Sequence, residues 1–177
     1  MYNRDSVKLL ILQSFSDVPY PGDDCLRRSD EGDEPFLLEQ EFRGKSDWRI
    51  LDPAFIDQAP DGFSTALCFF SDEAFRFYLP AYLLADVDNL LKRTSPEFHL
   101  CDGFTNSSRD ELVNPRRYGK LTWLEEAGAR FATFTPQQAE AVVAYLRFKR
   151  QSEGITQRSL MCIDQALQNY WLPRSGS

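Results

Sequence analysis

One stretch limits the fold more than any other: LCFFSDEAFRFYLPAYLLADVDNLL, from Leu67 to Leu91. Phe75, Tyr78, Leu79, Tyr82, Leu83, Val87 and Leu90 recur at the three-and-four spacing of one helix face. Phe77, Ala81, Leu84 and Ala85 make much of the opposite face apolar as well. A helix that is apolar nearly all round is buried inside a domain. Ser71 is a good N-cap, and Asp72 and Glu73 put negative charge in the first turn, where the helix dipole favours it. Pro80 lies inside the run and lacks the N–H that would reach the Arg76 carbonyl. The stretch is therefore one bent helix, or two helices with Pro80 opening the second. Acids and Arg76 interrupt it, so it does not read as a membrane span.

The flanking segments are helical in pattern. A first helix is expected from about Asp5 to Phe15, capped by Asn3 or Asp5, with Val7, Leu10, Ile11, Ser14, Phe15 and Val18 on one face. Pro19, Pro21 and Gly22 stop it. Phe36 to Phe42 suggests a short helix opened by Pro35 and ended by Gly44. Trp48, Ile50 and Leu51 are expected to return to the core, Asp52-Pro53 to start a short helical turn, and Pro60-Asp61-Gly62 to form a turn. From Lys92 to Thr133 the pattern is weak, and Phe98, Leu100 and Phe104 alternate loosely, as a short strand or extended segment would. Thr135-Pro136 opens a helix carrying Ala139, Val142, Val143 and Leu146 on one stripe. Gly154 ends it, Thr156 starts another with Leu160, Ile163, Leu167, Tyr170 and Trp171 on one face, and Pro173 ends that one.

The reading is all-α, or mainly α with at most a small hairpin: five to seven helices around a buried central helix. One domain is expected over residues 1–177, with N-terminal and central helices over 5–91, an irregular connection over 92–134 and a C-terminal helical hairpin over 135–172. Phe supplies 14 of the 177 residues, so the core should be rich in rings.

Chemistry is harder to find. There is no GxGxxG, P-loop, HExxH, GxSxG or EF-hand pattern. His99 is the one histidine, which rules out a His-only metal site within one chain, and its spacing to Cys101 and Asp102 is not a zinc pattern. No metal and no cofactor is expected. A His99–Cys101 nucleophilic pair lacks an orienting partner in the sequence. The four cysteines, Cys25, Cys68, Cys101 and Cys162, form no CxxC pair and are expected to be reduced, with Cys68 and Cys162 packed as small hydrophobes. Among the carboxylate pairs, Asp86 with Asp88, after the buried helix, is the best candidate for an unusual environment; the plainer reading is that they solvate the helix end. Arg76, between two Phe residues, is either a rim residue whose stem covers apolar surface or a buried charge held for an anion. With Tyr78, Tyr82 and His99 it makes up the pocket candidates for an enzyme with a cleft along the central helix.

The net charge is −7, from 27 acids against 20 bases, which opposes binding to phosphate backbones. Arg116-Arg117-Tyr118 is too small a basic patch for nucleic acid. No membrane partner is expected, and the cytoplasm is the expected address. Acids gather between Asp23 and Pro35: Asp23, Asp24, Asp30, Glu31, Asp33 and Glu34. Such a run is ordinarily a solvated connection; the sharper reading is a docking surface for a basic protein partner.

The runs SDEAFRFYLPAYLLADV and FTPQQAEAVVAYL resemble a family of bacterial proteins of unknown function, which share an FRFYLPA-type helix and a late Thr-Pro-x-Gln helix start. The resemblance implies no activity and no catalytic residues. Three functional classes follow from the residues: a protein-binding module such as an immunity-like neutraliser of a toxin, an enzyme using a carboxylate and Arg cleft, or a homo-oligomeric structural protein with exposed aromatics at Tyr170 and Trp171.

Overall fold

The chain enters its first helix, α1 (Arg4–Ser14), through Asn3, whose side-chain oxygen accepts the Ser6 N–H at 2.8 Å. The Asn3 N–H in turn donates to the Ser6 hydroxyl at 3.1 Å, so two otherwise orphaned donors are satisfied. Val7, Ile11 and Phe15, spaced by four, are fully buried. The computed structural model describes residues 2–59 and 65–176; the expected turn at Pro60-Asp61-Gly62 lies outside the described residues. Two compact units are present, Ile11–Pro96 and Met1–Leu10 with Glu97–Ser177.

In the first unit, α2 (Glu34–Phe42) starts with Pro35 in its first turn, and Gly44 follows its end at φ 74°. A 3₁₀ turn covers Trp48–Ile50. Helix α3 (Pro53–Gln58) is capped by Asp52, which accepts the Ala54 N–H at 3.0 Å. A single turn, α4 (Ala66–Phe69), leads into α5 (Asp72–Val87). Ser71 caps α5 by accepting the Ala74 N–H at 3.0 Å and donates to the Cys25 carbonyl at 2.6 Å. Of the two alternatives at Pro80, the continuous helix is the one formed. Twelve of the 16 residues of α5 are buried, Pro80 among them. That packing outweighs the roughly 3 kcal/mol that an interior proline costs a helix. Phe42, Phe70, Phe77 and Tyr78 pack edge-to-face and stacked with centroids 4.9–5.0 Å apart.

In the second unit, α6 (Pro96–Cys101), α7 (Pro115–Tyr118) and α8 (Trp123–Arg130) precede α9 (Pro136–Lys149). Helix α10 (Gln157–Ala166) continues through a π turn (Leu167–Trp171) into α11 (Leu172–Ser175). The π turn and α11 pack on α9. Phe104 stacks on Tyr170 at 4.1 Å, and Phe131 lies 4.9 Å from Trp171. The Trp171 indole N–H donates to the Leu100 carbonyl at 2.8 Å. Arg174 donates to the carbonyls of Phe131, Ala132 and Phe134, satisfying acceptors at and beyond the end of α8.

The fold is all-α, as the periodicity predicts. Among the described residues there is no strand, only isolated antiparallel bridges of Arg27 with Phe70 and of Leu112 with Thr122. Several local expectations are corrected. The connection over 92–134 holds three short helices, and the loosely alternating residues from Phe98 lie mostly in α6. Ile50 is 80% exposed, because a tight 3₁₀ turn sends residues two apart to different sides and Trp48 takes the inward position. Leu90 is exposed because Asn89, at φ 57°, turns the chain off the α5 face. Cys68 is exposed on the outer side of α4, and the buried cysteine is Cys101. Pro173 does not end the last helix but sits in the first turn of α11. Tyr170 and Trp171 form no exposed surface: Trp171 is fully buried and Tyr170 half-buried.

Candidate functional site

The acidic segment divides into acids used internally and acids that are not. Asp23 accepts from the Tyr20 hydroxyl and from the Gly44 N–H, the latter at 2.7 Å. Those two donors hold its carboxyl below the usual range. Burial and Asp23 together push the Tyr20 phenol up to about 12. Asp30 pairs with Arg27 at 3.0 Å, and Arg27 also binds Glu39. Glu31 is exposed and engaged in contacts of its own. Asp24, Asp33 and Glu34 are exposed. Asp33 occupies the N-cap position of α2, yet its side chain makes no capping hydrogen bond. Beside these acids Phe36 and Leu37 stand 42% and 39% exposed, and the Arg27 guanidinium lies 4.5 Å from the Phe36 ring centre.

The pocket candidates are placed as follows. Arg76 is half-buried on α5, and burial lowers its pKa. Tyr78 is fully buried and donates to the Lys45 carbonyl at 2.8 Å. Burial, and then Tyr20, raise its phenol. Tyr82 is fully buried too, and its hydroxyl meets no hydrogen-bond partner among the described residues. Both phenols are enclosed in packed side chains, held neutral, and turned away from solvent. Through Tyr20, Tyr78 is linked to Asp23, a connection between two residues that the sequence reading assigned to different roles.

His99 lies on α6, in the other unit, half-buried beside Phe98. Burial, and then Arg130, lower its pKa to about 4, so it is neutral near pH 7. Burial, and then Cys162, raise the Cys101 thiol. His99 and Cys101 lie two residues apart on a helix and so do not face each other, and a neutral imidazole and a thiol held protonated make no activated nucleophile. Asp86 is buried within α5, while Asp88 is half-buried at its C-cap.

One concave site was not foreseen. A groove of about 380 Å³ opens at the C-terminal end of α9. Arg147, Arg150 and Gln151 form one wall. Asp164, Leu167 and Gln168, from α10 and the start of the π turn, form the other. The Arg150 guanidinium is clamped by Asp164, Nε to Oδ1 at 2.6 Å and the second nitrogen to Oδ2 at 3.3 Å. That fork-to-carboxylate geometry fixes its orientation. The Gln151 amide donates to the Arg147 carbonyl at 3.1 Å. The sequence carries no motif for this groove, because its walls come from positions more than ten residues apart with no fixed spacing.

No curated protein and no solved structure matches the chain. A family of unknown function, DUF6714, matches residues 3–175, in keeping with an uncharacterised family, and the chain belongs to it.

Proposed function

We propose that the protein is a binding module whose contact face is the start of α2, and that its partner is a protein with a basic surface. An immunity-like neutraliser, covering the basic active site of a toxin, is the form that fits best. The observation that carries the reading is the pairing of exposed apolar residues with carboxylates the fold does not use. Phe36 and Leu37 stand exposed next to Asp33 and Glu34, and Asp33 leaves its capping role unfilled. An apolar centre with a charged rim is the anatomy of a protein interface. The rim would govern the association rate and its salt dependence, and the apolar centre the dissociation rate.

The test uses the whole chain as bait, with two variants. One carries Asp24→Asn, Asp33→Asn and Glu34→Gln; the other carries Phe36→Ser. Circular dichroism and melting temperature first establish that both fold as the parent does. Binding of the captured partner is then followed by surface plasmon resonance at two salt concentrations. The triple variant should slow association about tenfold at low salt, and Phe36→Ser should speed dissociation by a similar factor. Unchanged kinetics in both variants would remove this face from the interaction, and a partner with an acidic contact surface would remove the proposal.

A further inference from the structure

We propose that the groove at the end of α9 is a binding site for a small oxyanion, a carboxylate or a phosphate, with Arg147 as its principal ligand. The argument begins with charge. The groove holds two guanidinium groups and one carboxylate. Asp164 takes both of its hydrogen bonds from Arg150, so that pair is neutral overall. Arg147 lies three residues earlier, on the same side of the helix. It supplies a positive charge that no carboxylate of the lining balances. The chain as a whole carries a net charge of −7, whereas the charged groups lining this groove sum to one positive charge.

The ordinary role for cations in the last turn of a helix is to offset the dipole. Lys149, which does not line the groove, is positioned for that role. Arg150 is drawn aside by Asp164 and held there, which leaves its remaining N–H donors with a fixed direction. The facing wall adds the amide of Gln168 and the apolar side chain of Leu167. Both belong to the π turn, and π turns inside α-helices recur at functional sites. The volume, near 380 Å³, lies at the small end of the range for ligand sites and admits a compact metabolite-sized anion. Guanidinium forks recognise carboxylate and phosphate alike, so the shared chemistry is an oxyanion presenting two acceptor oxygens.

The experiment titrates the full chain with sodium phosphate, sodium succinate and sodium chloride at matched ionic strength. It follows the arginine Nε–H resonances by ¹H–¹⁵N NMR. A saturable shift of the Arg147 resonance with phosphate or succinate, and none with chloride, is expected. Response to phosphate alone assigns the site to phosphate compounds, and response to succinate alone to carboxylates. Arg147→Gln should weaken that binding at least tenfold, read on the Arg150 resonance. Arg147→Lys, which keeps the charge and loses the fork, should weaken it about threefold. Arg116→Gln, on the exposed basic turn, should change nothing. The proposal is overturned if chloride reproduces the shifts, or if both Arg147 variants bind as the parent does.

Discussion

Replacing Asp57 tests how the first unit closes on itself. Asp57 lies on α3, 8% exposed, and receives three backbone donors from the segment that follows α5. The Lys92 N–H reaches it at 2.8 Å, that of Arg93 at 3.0 Å and that of Thr94 at 2.9 Å. Three successive peptide groups from a distant stretch thus meet on one carboxylate. Hydrogen bonds to a charged group contribute about 1.5–3 kcal/mol each. Three of them share one carboxylate, and Lys92 and Arg93 are exposed, so water can replace part of the loss. The sum for Asp57→Ala is then about 3–4 kcal/mol. Asp57→Asn keeps one acceptor oxygen but turns an NH₂ group towards peptide donors, and should cost about 2–3 kcal/mol.

The same contacts set a pH dependence. Burial alone would raise the Asp57 carboxyl, but the Lys92, Arg93 and Thr94 N–H groups outweigh it and hold the carboxyl below the usual range. A carboxyl whose folded pKa is depressed contributes stability that is fully present above the unfolded pKa, about 3.9, and is lost as pH falls through the folded value. Urea unfolding of the parent and Asp57→Asn between pH 7 and pH 3 measures both effects. The gap should be largest and constant above about pH 5, and should shrink below about pH 4. A gap under about 1 kcal/mol at pH 7 would refute the energetic reading. A gap that stays constant down to pH 3 would refute the charged role of the carboxylate.

Three further outcomes are expected. Tyr82→Phe removes a buried hydroxyl that meets no partner among the described residues and should stabilise by about 1 kcal/mol, whereas Tyr78→Phe loses the bond to Lys45 and should cost about 1 kcal/mol; thermal melts of the two variants moving in the same direction would contradict this. Gly103→Ala should destabilise by about 2–4 kcal/mol, because φ is +79° and a Cβ would lie 2.7 Å from the Trp123 carbonyl oxygen, as chemical denaturation will report. His99 is neutral in the fold with its pKa lowered to about 4, so the unfolded chain takes up the proton first, and stability should fall by about 2 kcal/mol as pH drops from about 6.5 to 4; in His99→Asn that part of the pH profile should flatten.

Legibility in the sequence followed periodicity and length. Helices α1, α5, α9 and α10 repeat an apolar stripe over ten residues or more, and each is visible as a pattern. Helices α6 and α7 span six and four residues, too few for a period to show. Helix α8 did carry a readable signal: Thr122 and Glu125 form a capping box, each side chain bonded to the other's backbone N–H. The candidate sites divide in the same way. The acidic segment is contiguous in the chain and so could be named in advance. The groove is assembled from the end of one helix and the π turn after another, and only the folded chain brings Arg150 to Asp164.

The two helix-internal prolines show why local rules stop short of that groove. Both Pro80 and Pro173 lack an N–H and crowd the carbonyl four residues earlier. At Pro80 the helix is locked on nearly every side by buried neighbours, and it continues unbroken. At Pro173 only a short terminal turn remains, and the crowded carbonyl is that of Asn169, inside the π turn. A wider turn there relieves the ring at the cost of one residue of register. That shift sets Tyr170 and Trp171 into the aromatic cluster and leaves Leu167 and Gln168 on the groove. Proline thus has opposite consequences at the two positions because the surrounding packing differs. Replacing Pro173 with alanine should let a regular α-turn form, and the Tyr170 and Trp171 side-chain resonances should move together with those of the groove. Were the groove resonances to stay fixed while the rings moved, the π turn would have no part in shaping the site.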